Sequence, residues 1–184
     1  MTINSFAARR KRFAAFRCAN MFQIISLLVI AALTAIDQVI KYFVVADLKP
    51  IGEKLLIPGV LRLTYVENDG AMMGMLGGKA NVMMVVTLVI IIVMLAVMLS
   101  KKLKFGFNYC CFVAIVAGGI GNLIDRFRLG YVIDYIDVLF VKFYVFNFAD
   151  CLVTVGAFLI IGYQIYEIIK ETKEKKGKAK WLTQ

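Results

Sequence analysis

The sequence predicts a mainly α, polytopic membrane protein: four transmembrane helices with a small β element on the outer face. Three observations predict it. First, 61% of the 184 residues are hydrophobic and the mean hydropathy is +0.81, more apolar surface than one soluble core of this size hides. Second, uncharged runs long enough to cross a bilayer recur along the chain. Third, the basic residues flank those runs: Arg9, Arg10, Lys11, Arg12 and Arg17 before the first, Lys101, Lys102 and Lys104 after the second, and six lysines from Lys170 to Lys180 after the last. Lys/Arg-rich ends stay in the cytoplasm, so both termini are expected there and four crossings follow. The net charge of +10 is thus a topological signal, and no nucleic-acid partner is expected.

The elements follow in order. Residues 1–20 are basic, lack apolar periodicity and read as a cytoplasmic N-terminal tail. A signal peptide shares that layout, but the apolar stretch runs on to about Ala46, and Leu33 is bulky where cleavage before Ile36 needs a small residue. Met21 is an alternative start, and residues 22–46 form the first helix, with Asp37 and Lys41 on one face at i, i+4. That pair reads either as an interfacial ion pair with a snorkelling lysine or as part of a site. Residues 47–80 are punctuated by Pro50, Pro58 and several glycines. Within them LRLTYVEN, Leu61 to Asn68, alternates as a half-exposed strand, and Asp69-Gly70 is a hairpin-turn signal.

Residues 82–99 carry no charge and form the second helix. Residues 106–125 form the third, where Gly118, Gly119 and Gly121 with Ala114 and Ala117 allow close helix approach. GGIG is no phosphate loop there, because it lies inside a membrane helix. Residues 126–146 return along the outer surface, and a fourth helix runs from about Phe146 to Ile169. The membrane domain therefore spans 21–170, with its outer β element at about 47–80, and 171–184 are a lysine-rich cytoplasmic tail.

The acids mark the site. Nine of the twelve fall between Asp37 and Asp150, all near the outer face in this topology. Carboxylates at a lipid boundary are costly and mark function. The stretch Gly118 to Asp150 holds Asp125, Asp134, Asp137 and Asp150, with Asn122, Asn147 and Arg126. Asn122/Asp125 and Asn147/Asp150 are both i, i+3 pairs, each setting an amide beside a carboxylate. Two close aspartates in a low-dielectric pocket share one proton, so one draws a proton from water while the other donates one. That is aspartic-peptidase chemistry. The chain has no histidine, and Cys18, Cys110, Cys111 and Cys151 lack zinc spacing, so no histidine triad, metal or cofactor is expected. Helix capping is the bland alternative for any one aspartate; a proton relay and a membrane scaffold are rivals for the whole. Position alone leaves Asp134 and Asp137 equally placed for the pair.

These residues resemble the lipoprotein signal peptidases (signal peptidase II) of bacteria, from about Ile36 to Gly156. DQVIKYF (37–43) is similar to the family's first-helix D-Q-x-x-K pattern, and ENDGAMMG (67–74) to its N-x-G-A-A-F segment. GGIGNLIDR (118–126), GYVIDY (130–135) and FNFAD (146–150) supply the remaining blocks in order. The resemblance implies an intramembrane aspartic endopeptidase of the bacterial cytoplasmic membrane. It would cut lipid-modified prolipoproteins before a diacylglyceryl-cysteine, near the outer face. By position it implies a dyad of Asp134 and Asp150, with supporting or substrate-binding roles for Asp37, Lys41, Asn68, Gly70, Asn122, Asp125, Arg126 and Asn147. The partners implied are the lipidated precursor and membrane lipid, with a monomer expected. Met72-Met73 departs from the family's Ala-Phe.

Overall fold

The computed structural model describes residues 3–69, 80–100, 103 and 105–182, and the side chains of these except 3–20, 80–81 and 176–182. Helix α1 (Ile3–Phe43) is continuous, and the basic segment before Met21 is helical and runs into the first span. No proline or glycine interrupts it. It ends where Pro50 offers no N–H and its ring crowds the preceding turn. The last turn widens into a π-helical stretch, Val44–Leu48, closed by the Lys49 N–H on Val44 O at 3.0 Å. Strands β1 (Glu53–Ile57) and β2 (Leu61–Asn68) follow, then α2 (Ala80–Leu99) and α3 (Phe107–Leu129). The αL residue Gly130 caps α3, with φ +83° and its N–H on Arg126 O. Strand β3 (Val132–Val138) and α4 (Phe148–Leu182) complete the chain.

Four of these helices are long and apolar enough to cross a membrane: Met21–Leu48, Val82–Leu99, Phe107–Leu129 and Phe148–Lys175. Helix α3 lies at the centre. Its Tyr109, Val113, Val116 and Ala117 pack with Ile30 of α1 and Ile91 and Met98 of α2. Helices α2 and α4 expose most of their apolar side chains, such as Val85, Ile92, Phe158 and Ile168, which is the surface a bilayer solvates. Glycine sets the α3–α4 spacing: a Cβ on Gly118 would run into the Ala149 carbonyl oxygen.

The three strands form an antiparallel sheet in the order β1-β2-β3. The β2–β3 register changes part-way. Leu61, Arg62 and Leu63 face Val138, Asp137 and Ile136, whereas Val66, Glu67 and Asn68 face Asp134, Ile133 and Val132. Thr64 and Tyr65 together therefore oppose Tyr135 alone, a β-bulge. Even-numbered β2 residues lie with Asp137 before the bulge and with Asp134 after it.

The expected strand at 61–68 and the helix at 82–99 sit where the pattern puts them. Strand β3 (Val132–Val138) falls within 126–146, expected as a return along the outer surface. VIDYIDV is buried on both faces from Val132 to Tyr135, so it shows no alternation to detect. Helix α4 starts two residues later than expected and extends well past Ile169. The expected Asp69-Gly70 turn falls partly outside the described residues.

Candidate active site

Strand β3 and the start of α4 are brought together by one isolated bridge. Tyr135 and Ile136 N–H both donate to Phe146 O, at 3.1 and 2.7 Å, and Phe146 N–H donates to Ile136 O at 3.0 Å. Asn147 then becomes the N-cap of α4. Its Oδ1 accepts the Asp150 N–H at 2.9 Å, while Asp150 Oδ2 accepts the Asn147 N–H at 3.2 Å. This is a reciprocal capping box, which fixes Asp150 in the first turn of α4 facing the helix's free amides.

Asn147 also reaches β3. Its Nδ2 donates to Asp134 Oδ1 at 2.6 Å and to Asn122 Oδ1 at 3.0 Å, and Asn122 Nδ2 donates to Asp150 Oδ1 at 2.7 Å. From β2, Asn68 Nδ2 donates to Asp134 Oδ2 at 2.7 Å. Asp134 is 1% exposed and Asn147 wholly buried. Burial, with the nearby Asp150 charge adding, pushes the Asp134 carboxyl up to about 6 despite the donors Asn68 and Asn147. A carboxyl that binds a proton so readily, beside a second carboxylate on a helix N-terminus, is suited to share one proton between donor and acceptor roles.

Beneath this pair is a buried ion cluster. Lys41 Nζ lies 3.0 Å from Asp37 Oδ2 and 2.7 Å from Asp125 Oδ2, and donates to Asn122 Oδ1 at 2.9 Å. All three charged groups are at most 3% exposed. Asp37 Oδ1 accepts the Ala149 N–H at 3.1 Å, which ties α1 to the first turn of α4. Asp125 also accepts Gln38 Nε2 at 2.9 Å and the Ile133 N–H at 3.3 Å. The cluster thus locks Asn122, and through it the Asp150 carboxylate. Asp37 can approach α3 because residue 121 is glycine; a Cβ there would sit 2.5 Å from Asp37 Oδ2. Gly121→Ala should cost about 1–3 kcal/mol, since that carboxylate is held on both oxygens and has no room to retreat. Thermal unfolding in detergent measures this, and an unchanged midpoint counts against the rigidity of the cluster.

The structure brings Asp37, Lys41, Asn68, Asn122, Asp125, Asp134, Asn147 and Asp150 into one connected network. Arg126, in the last turn of α3, lies in the field of Asp150, Asp134 and Asp125, and its buried Nε has no hydrogen-bond partner among the described residues. Gly70 and Met72-Met73 fall outside the described residues. Asp137 stands apart. Three positions along a strand from Asp134, it points to the opposite face and accepts Arg62 Nε and Nη2 at 3.0 and 2.7 Å. Two contributors were not among the expected site residues. Gln38 bridges Asp125 and the Gly121 carbonyl, at 2.9 and 3.2 Å, and the D-Q-x-x-K block already contained it. Tyr135 accepts the Phe148 N–H on its hydroxyl at 3.2 Å, a role with no sequence signal once β3 went unrecognised.

A family model described as "Signal peptidase (SPase) II" matches residues 29–166. The lipoprotein signal peptidase of Lactobacillus johnsonii is 38% identical over 146 residues, which are 79% of this chain and 92% of the relative. That of Caldanaerobacter subterraneus subsp. tengcongensis is 42% identical over 138 residues, 75% of this chain and 93% of the relative. A solved structure described as a bacterial membrane enzyme superposes with a TM-score of 0.70 at 32% identity, covering 78% of this chain and 89% of its own. A second, with the same description, gives 0.68 at 33% identity, over 76% and 92%.

Proposed function

This chain belongs to the signal peptidase (SPase) II family, and from there we propose that Asp134 and Asp150 form its catalytic dyad and that its cut falls just before the lipidated cysteine of the precursor. The protein is a membrane-embedded, multi-pass aspartic endopeptidase, a lipoprotein signal peptidase that removes signal peptides from prolipoproteins. The observation that carries the dyad is Asn147, whose amide is bonded to Asp134 while its backbone and Oδ1 hold Asp150.

Asp150 faces the α4 N-terminus and two amide donors, so it is the member that draws a proton from water. The hydroxide formed adds to the scissile carbonyl carbon while Asp134 gives its proton to the carbonyl oxygen. The C–N bond then breaks as Asp150 passes its proton to the leaving nitrogen, and the diol returns one to Asp134. Asn68, Asn122 and Asn147 orient the two carboxylates. Asp37, Lys41 and Asp125 hold α1, α3 and α4 at the right separation, Arg126 completes the site toward the substrate, and Gly70, outside the described residues, keeps the supporting role its place in the N-x-G-A block implies.

The basic blocks at 9–17 and 170–180 assign both termini to the cytoplasm, which puts the dyad near the outer face of a bacterial cytoplasmic membrane. The tails 1–20 and 171–184 flank one catalytic domain, 21–170, which works as a monomer among membrane lipids.

Product mapping tests this reading. Purified protein in detergent should release, from a diacylglyceryl-modified precursor, a product beginning at the lipidated cysteine, at a rate indifferent to a chelator. Cleavage at another bond, or equal cleavage of the unlipidated precursor, overturns it. The pH profile of kcat/KM gives a second check. Asp134 must carry its proton, so activity should fall as pH rises through the range near 6. Asn68→Ala removes a donor that favours the charged carboxylate, so Asp134 holds its proton to higher pH. The alkaline limb should therefore move up; a limb that stays or moves down is inconsistent with Asp134 as the proton donor.

A further inference from the structure

A cavity of about 370 Å³ lies between the end of α1 and the sheet, and neither Asp134 nor Asp150 is among its lining residues. Its walls are apolar: Ile40, Val44 and Leu48 from α1 and its π-helical turn, Leu63 from β2 and Tyr135 from β3. Phe43 and Ile51, both more than half exposed, form its rim. The volume is at the lower end for small-ligand sites and takes a single flexible chain, not a folded partner. Two opposite charges, Asp47 and Lys54, stand on the lining, and neither is in an ion pair among the described residues.

We propose that this cavity is a binding site for one bilayer phospholipid with a zwitterionic, amine-bearing headgroup. An acyl chain fills the apolar groove, Lys54 faces the phosphate and Asp47 faces the ammonium. The groove begins on the last turns of a membrane-spanning helix, so lipid reaches it at headgroup depth without leaving the bilayer. The charge pair selects the headgroup: an anionic lipid satisfies Lys54 but sets a second negative charge against Asp47.

The occupant is a bilayer lipid and not the acyl group of the substrate. The substrate's lipid is attached to the residue just after the scissile bond, so it must lie beside Asp134 and Asp150. None of Asn68, Asn122, Asp134, Asn147 and Asp150 lines the cavity, so the space that takes the substrate's lipid is a different one. Occupancy still bears on the dyad, since Tyr135 also receives the Phe148 N–H at the start of α4.

Native mass spectrometry of the full chain in detergent, offered phosphatidylethanolamine and phosphatidylglycerol in equal amounts, tests the site. One phosphatidylethanolamine should remain bound per chain. Asp47→Lys and Lys54→Glu should each lower its bound fraction at least tenfold, as should Ile40→Phe, which fills the groove from the wall. Asp134→Asn should retain the lipid in full, because binding rests on the membrane fold and not on the dyad. Equal retention of both lipids, or retention that survives both charge reversals, reduces the site to unspecific annular lipid and overturns the proposal.

Discussion

Asp134→Asn and Asp150→Asn should each abolish processing of a lipidated precursor while leaving the protein folded and inserted. A positioned acid or base contributes about 10²–10⁴-fold, and in a shared-proton pair the loss of either member removes both roles. The surroundings should accept asparagine at 134, since Asn68 can turn its amide to suit. At 150 the side-chain oxygen still accepts the Asn147 N–H, so the cap of α4 survives. The companion substitution is Asp137→Asn. It weakens an ion pair with Arg62 on the other face of β3, so most activity should remain. The measurement is the rate of precursor cleavage by each purified variant, with thermal unfolding to show equal folding. Wild-type rates from Asp134→Asn or Asp150→Asn would falsify the dyad.

Lys41→Met should be the most damaging single change to stability. Lys41 is 2% exposed and faces Asp37, Asp125 and the Asn122 carbonyl oxygen. Without it, two carboxylates remain buried with no cation. Breaking a buried pair by removing one partner costs about 3–5 kcal/mol, and here one lysine serves two acids. The double variant Lys41→Met/Asp125→Asn leaves only one such acid and should recover part of the loss. Chemical or thermal unfolding of the four combinations in detergent gives the coupling directly. Additive losses would mean that Lys41 and Asp125 do not act on one another, contrary to their 2.7 Å contact.

Much of this was readable from residue order because a bilayer imposes simple rules. Membrane-length apolar runs can hardly be anything but helices, and the acids between Asp37 and Asp150 had to gather where those helices meet water. The ambiguity between Asp134 and Asp137 came from missing β3. Had VIDYIDV been read as a strand, the odd spacing of the two aspartates would have set them on opposite faces. The strand escaped notice because it is covered on both sides, and a strand with two buried faces has no period of two to display. The Asn147/Asp150 spacing was legible as an amide–carboxylate pair. Its second function, capping α4, needed the helix start at Phe148, and boundaries are the least certain part of any pattern reading. The basic segment before Met21 shows no apolar periodicity, so its helical form is not legible there; a long helix continuing from a membrane span needs none.

The extra residue at Thr64-Tyr65 gives β2 slack at one point and nowhere else. Because two residues there oppose Tyr135 alone, losing either one leaves Val66 across from Asp134 and Asn68 across from Val132, on the same face as before. Beyond the bulge there is no spare residue. Losing Val66 or Glu67 would bring Asn68 across from Ile133, turn it to the Tyr135 face and leave Asp134 one donor short, in a protein that still folds and inserts. Deletion of Val66 or Glu67 should therefore silence the enzyme, while deletion of one residue at 64–65 should leave far more cleavage.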